Sequence, residues 1–140
     1  MHKVEFRVLR NQYSVAVVAP HVEGTSLIEL IEAFENKQGW GPAENSYDGI
    51  RVDRGFRRIM RQHYLGELDY SSDDKGPRTA LLACQCMEIY CWPLLCAVDV
   101  DKSTVTWRQF EQPFRDERNY SAFGPFCFDC DGYHAAIGAI

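Results

Sequence analysis

The most constraining feature of the sequence is a run of three strand-like segments in the second half of the chain. They are residues 80–86, 94–100 and 104–110, and all three are rich in apolar residues. Only residues 101–103 separate the second segment from the third, and a connection this short joins antiparallel neighbours. The sequence therefore predicts an antiparallel β-meander.

Two further strand-like segments lie near the start of the chain, at 4–9 and 13–18, on either side of the turn-forming residues 10–12. This arrangement predicts a β-hairpin. A short strand is predicted at 126–128. Loops rich in turn-forming or charged residues are predicted at 39–49, 69–76 and 112–124.

Helical periodicity follows three capping residues. The first helix begins after Ser26, which has Glu29 three residues later as in a capping box, and it ends at Gly39. The second begins after Asp53, and its apolar side consists of Phe56, Ile59, Met60 and Tyr64. We expect Asp131 to cap a final helix.

The length and composition of the chain agree with these elements. A chain of 140 residues has the usual size of one domain, and a hydrophobic fraction of 46% is enough for a packed core. The sequence therefore predicts a single α+β domain over residues 1–140, in which an antiparallel sheet packs with two to three helices.

The charge balance limits the partners that we expect. With 20 acidic and 15 basic residues the net charge is −5, which argues against nucleic-acid binding and favours a basic protein as a partner. The apolar stretches are shorter than the roughly 20 residues that span a bilayer, and the first residues do not resemble a secretory signal. We therefore expect a cytoplasmic protein whose cysteines stay reduced.

One local exception to the acidic balance lies on the predicted second helix. Its polar side carries Arg54, Arg57, Arg58 and Arg61. Charge runs on amphipathic helices usually form a solvated face, here one that would pair with the acidic remainder of the protein. A site for an anion or an acidic partner is the alternative.

Cysteines are the strongest chemical signal, and all six lie in the second half of the chain. If Cys84 and Cys86 leave the same face of a strand, the four residues that follow can return Cys91 to them, so that three thiolates converge. Zinc takes four ligands in a tetrahedron, and Cys127, Cys130 or a histidine is the candidate for the fourth.

Other interpretations of the cysteines stay open. They can be buried small hydrophobic residues of the sheet, because free cysteine is among the most buried residue types. They can also form a redox pair, either Cys127 with Cys130 or Cys84 with Cys91. A thiol enzyme, with His134 beside Cys130, is a third possibility.

Three stretches of sequence resemble an uncharacterised family of small bacterial proteins. They have the patterns CxCxxxxCWPL from Cys84, VxWxxFxQP from Val105 and GPFxFD from Gly124. The resemblance implies a metal knuckle with glycines next to the cysteines and a histidine after the Gln-Pro pair. This chain has Met87, Tyr90 and Phe114 at those places, so a metal site here would need Cys127 or Cys130 instead.

The sequence as a whole favours a non-enzymatic interaction or regulatory domain. It contains no phosphate-binding loop, nucleotide-binding fingerprint or paired catalytic carboxylates at a known spacing. A structural zinc-binding protein that uses the cysteine cluster is the alternative function, and a thiol-dependent enzyme or redox protein is the third.

Overall fold

The fold is described from a computed structural model, which covers residues 1–40, 46–71 and 75–140. The predicted loops at 39–49 and 69–76 lie partly outside these ranges. The elements within them are β1 (Val4–Arg10), β2 (Ala16–Val22), β3 (Thr25–Ser26), α1 (Leu27–Lys37), β4 (Tyr47–Asp48), β5 (Ile50–Arg51), α2 (Arg54–Tyr64), β6 (Thr79–Cys84), β7 (Leu94–Val100), β8 (Thr104–Glu111), β9 (Phe126–Asp129) and α3 (Cys130–Gly138). The α+β class is confirmed.

The strands form two antiparallel sheets. The first has the order β1-β2-β3, with β5 also paired to β2, and the second has the order β4-β6-β7-β8-β9. The predicted hairpin is β1-β2, and the predicted meander is β6-β7-β8. Asp101 shapes the turn between β7 and β8, because its Oδ1 accepts hydrogen bonds from the backbone N–H groups of Ser103 and Thr104.

The two sheets meet at both of their ends. At one end a parallel bridge joins His2, just before β1, to Phe128 of β9. At the other end β4 and β5 belong to different sheets, and only Gly49 separates them. A Cβ atom at this position would lie 2.7 Å from the carbonyl oxygen of Val18, so the corner requires glycine.

The second strand is longer than the sequence predicts. It begins at Ala16 and continues through Pro20 to Val22, whereas the prediction was 13–18. Proline is tolerated here because β5 pairs with β2 at Val17 and Val18, and β3 pairs with it only from His21 onward. Pro20 therefore lies where that side of the strand has no partner.

Two of the three predicted helix caps are confirmed, and one is wrong. Ser26 accepts a hydrogen bond from the N–H of Ile28, and Asp53 accepts one from the N–H of Phe56. The third helix begins two residues earlier than predicted, with Asp129 rather than Asp131 as its cap. Asp131 lies in its first turn. No helix in the described ranges is long and apolar enough to cross a membrane.

Aromatic side chains dominate the core between the helices and the sheets. Trp107 is fully buried, and its Nε1 donates a hydrogen bond of 3.1 Å to the hydroxyl of Tyr133. That hydroxyl donates in turn to the carbonyl oxygen of Tyr64 on α2. The aromatic rings of β8, β9 and α3 cluster there, and they tie α2 and α3 to the second sheet.

Candidate functional site

The connection between β6 and β7 folds three cysteines together. Strand β6 ends at Cys84, whose carbonyl oxygen accepts a hydrogen bond from the N–H of Met87. Met87 has a positive φ of 71°, which turns the chain sharply. A second turn follows, in which the N–H of Cys91 donates to the carbonyl oxygen of Glu88. We call residues 84–91 the cysteine turn.

The sulfur atoms of Cys84, Cys86 and Cys91 all lie within 4.8 Å of one another. In a tetrahedral zinc–thiolate site with Zn–S bonds of about 2.3 Å, the sulfurs are about 3.8 Å apart. Small rotations of these side chains therefore suffice to bring the three sulfurs onto one metal ion. The predicted convergence is present, although a pair of turns produces it and not the alternation of a strand.

Burial differs among the three thiols. Cys84 is buried, whereas Cys86 and Cys91 are exposed. Exposure at two of the three positions does not fit the interpretation that these cysteines are core residues. That interpretation does fit Cys96, which is fully buried in β7.

The acidities of the thiols follow from these environments. Burial raises the pKa of Cys84 to about 12. The pKa of Cys86 is lowered, mainly because the backbone N–H of Glu88 stabilises its thiolate and also because the Cys84 thiol hydrogen-bonds to it. The turn thus has an exposed thiol that loses its proton more readily beside a buried thiol that a metal ion would have to deprotonate.

The structure does not bring Cys127 and Cys130 to the cysteine turn. Cys127 lies on β9, three strands from β6, which corresponds to about 14 Å at the usual strand spacing. Its sulfur accepts a hydrogen bond of 3.6 Å from the hydroxyl of Thr106. Cys130 is the first residue of α3. Within the described residues no hydrogen bond joins its side chain to His134.

The cysteine turn therefore provides three ligands. Among the described residues, no fourth cysteine, histidine or carboxylate joins the group. Three protein ligands and a fourth position left for water or another molecule are the arrangement of accessible zinc sites, whereas structural sites have four protein ligands. Because Cys86 and Cys91 are exposed, a metal ion held by the three cysteines would have its fourth position open to solvent.

A second cluster, centred on Glu35 of α1, was not predicted from the sequence. Glu35 is 4% exposed, and its Oε2 accepts hydrogen bonds from the hydroxyls of Tyr47 at 2.9 Å and Tyr120 at 2.6 Å. Arg118 donates to the same oxygen at 3.3 Å. Gln112 extends the cluster by donating to the hydroxyl of Tyr47. We call these five residues the Glu35 network.

The Glu35 network raises the pKa of its tyrosines. Burial raises the pKa of Tyr120 to about 12, and both burial and the neighbouring carboxylate raise that of Tyr47 further. Both hydroxyls therefore stay protonated and act as donors at neutral pH. The sequence contained one signal for this network, because Leu27, Ile31 and Glu35 follow one another at four-residue intervals and so share one helix face.

The cysteine turn is linked to the Glu35 network through one tryptophan. Trp92 directly follows Cys91 and is 3% exposed. The guanidinium of Arg118 lies 6.0 Å from the centre of its ring, and that of Arg115 lies 5.3 Å from it. These are cation–π distances. Trp92 therefore contacts Arg118 of the Glu35 network and is bonded to the last residue of the cysteine turn.

The arginines of α2 are exposed, as predicted for the polar side of that helix. Arg54, Arg57, Arg58 and Arg61 all face solvent. The prediction that they pair with acidic residues of the same chain is not met among the described residues, because none of the four takes part in an ion pair there. They form a positively charged stripe on an acidic protein, which we call the arginine face.

Comparison with protein-family profiles, curated proteins and solved structures gives no match to this chain. The resemblance to a bacterial family therefore stays a prediction, and the function must be argued from the geometry of the sites.

Proposed function

We propose that the protein is a metal-binding domain in which Cys84, Cys86 and Cys91 hold a zinc ion. The observation that supports this function is the convergence of the three sulfur atoms within 4.8 Å at a turn that exposes two of them. Thiolate sulfur is the ligand that selects zinc and other soft metal ions over magnesium or calcium.

The connection between β6 and β7 is where a metal ion would have the greatest structural effect. Pairing between these strands stops at Leu82 and Leu94, so the cysteine turn lies outside the ladder. A metal ion bonded to Cys84 at the end of β6 and to Cys91 would close the turn and fix Trp92. The fourth position would take water or a ligand atom from another molecule, which makes the site accessible to exchange.

Cobalt(II) titration tests this proposal directly. Cobalt replaces zinc in tetrahedral sites, and its bonds to thiolate produce charge-transfer and visible absorption bands. We expect the reduced protein to bind about one cobalt ion with these bands, and zinc to displace it. Protein purified without a chelator or a metal-affinity tag should contain about one zinc ion per chain.

The other cysteines of the chain provide matched controls. Cys91→Ser should lose the thiolate bands. Cys130→Ser makes the same replacement of sulfur by oxygen at a cysteine outside the turn, and it should keep them. No cobalt signal together with six free thiols in denaturant would contradict the proposal. A Cys84–Cys91 disulfide in the purified protein would favour the redox alternative instead.

Interaction with another protein is the second candidate function, and the arginine face supports it. Four exposed arginines without ion pairs among the described residues suit an acidic partner. The basic partner predicted from net charge would need a surface of the opposite sign. Reversing two charges, in Arg57→Glu with Arg58→Glu, should abolish salt-sensitive binding to a poly-glutamate peptide, and unchanged binding would contradict this role.

A further inference from the structure

A cavity of about 600 Å³ lies beside the Glu35 network, and Arg118 and Tyr120 of that network line it. Its apolar wall includes Phe110, Phe123 and Pro125. Arg78 and Arg118 also line it. Most of the other lining residues are charged or polar, and the volume lies within the range of about 300 to 1,000 Å³ that is usual for a small-molecule site.

The two arginines distinguish this cavity from an ordinary surface groove. The side chains of Arg78 and Arg118 are each only 9% exposed. Asp116 and Glu117 line the cavity as well, but both are exposed, so solvent screens their charges. Arg118 is paired with Glu35, and Glu111 lines the cavity beside Arg78, so an anionic ligand would compete with one carboxylate for Arg78.

Arg78 has hydrogen-bonding capacity that the described residues do not use. Its Nε is buried and has no hydrogen-bond partner among them. The carboxylate of Glu111 lies 3.7 Å from this atom, within the range of an ion pair but beyond a hydrogen bond. A buried N–H without an acceptor is unfavourable, and a ligand oxygen that reached it would supply the missing acceptor.

The wall of the cavity also contains an irregular strand. Gln109 has a positive φ of 55° in the middle of β8, where Ala97 pairs with Arg108 and Leu95 pairs with Glu111. The extra residue forms a bulge that displaces the strand beside Phe110. Bulges and strained residues of this kind are concentrated at binding sites.

We propose that this cavity binds a small organic anion with an aromatic body, whose acidic group contacts Arg78 and whose ring packs against Phe110 and Phe123. Arginine matches carboxylates and sulfonates because its planar N–H groups can donate two parallel hydrogen bonds. The aromatic wall supplies edge and face contacts for a ring. This site is independent of the cysteine turn and requires no metal ion.

Two fluorescent probes test the proposal as a pair. They are 8-anilino-1-naphthalenesulfonate and N-phenyl-1-naphthylamine, which have the same aromatic body with and without the negative group. We expect saturable binding of the sulfonate with a stoichiometry of about one. Arg78→Met should weaken it about 10-fold or more and change binding of the neutral probe less than about two-fold.

Three variants complete the experiment. Ser121→Trp fills the cavity from an exposed position and should weaken both probes, whereas Arg51→Met on β5 should affect neither. If Arg78→Met does not fold, Arg78→Lys replaces it and should weaken the sulfonate several-fold more than the neutral probe. Equal losses of both probes on substitution of Arg78, or probe binding that Ser121→Trp leaves unchanged, would overturn the proposal.

Discussion

Replacing Glu35 by Gln removes the charge at the centre of the Glu35 network while preserving its shape. The Oε2 atom of Glu35 accepts all three hydrogen bonds, from Tyr47, Tyr120 and Arg118. The carbonyl oxygen of a Gln side chain can occupy the same place and remains an acceptor, but it carries no charge. The substitution therefore measures the effect of charge with little change in packing.

The expected loss of stability follows from the geometry of the three bonds. A hydrogen bond to a charged group contributes about 1 kcal/mol more than a neutral one, and the two tyrosine bonds are short. The contact with Arg118 is longer, at 3.3 Å, and as a hydrogen bond between two charged groups it contributes a further amount of about 1 kcal/mol. The sum is about 3 kcal/mol, out of a total stability of about 5–15 kcal/mol.

Equilibrium unfolding in urea measures this loss. We expect Glu35→Gln to reduce the free energy of unfolding by about 3 kcal/mol and the melting temperature by about 10 °C. Glu32→Gln is the matched control, because Glu32 lies on the same helix and is exposed. It should change stability by less than about 0.5 kcal/mol.

A double-mutant cycle with Arg118→Met separates the ion pair from the tyrosine bonds. Glu35→Gln should cost about 1 kcal/mol less when Arg118 is already replaced. Equal stability of Glu35→Gln and the unmodified protein would refute the reasoning, since it would mean that the charge contributes nothing. A loss that is identical in both backgrounds would refute the part assigned to Arg118.

The remaining predictions concern backbone conformation and pH. Gly66 has a φ of 75°, and an added Cβ would lie 2.8 Å from that of Val98, so Gly66→Ala should cost about 3 kcal/mol in urea unfolding. Gly39 has a φ of 77° and open space around it, so Gly39→Ala should cost only about 1 kcal/mol. Burial lowers the pKa of His63 to about 4 from 6.5, so the unfolded chain binds a proton more readily. Stability should fall by about 3 kcal/mol from pH 6.5 to 4. His63→Gln should remove this part of the pH dependence.

Local chemistry explains the parts of the fold that could be predicted from the sequence. Asp53 caps α2 because its side chain reaches an N–H only three residues away, and the turn at Asp101 is equally local. Strand β7 has its predicted bounds, because an apolar run and a turn signal delimit it. Such features depend on residues that are close together in the sequence, and a sequence pattern can therefore predict them.

The features that could not be predicted depend on contacts between distant residues. Pro20 lies inside β2 only because β3 and β5 leave a gap beside it. Glu35 is hydrogen-bonded to Tyr120, which lies far from it in the sequence. The cysteine turn was predicted in part, since the spacing of the cysteines suggested convergence, but the positive φ of Met87 that produces it has no signature in the sequence.

The bridge between His2 and Phe128 has a consequence for how the chain folds. The N–H of His2 donates to the carbonyl oxygen of Cys127, so the two bonded residues are 125 positions apart in the sequence. Contacts with such high contact order slow folding, because a long loop must close before they form. Until β9 has been synthesised, this end of the hairpin lacks its partner. The nascent chain therefore exposes a strand edge that can pair with other chains during its synthesis.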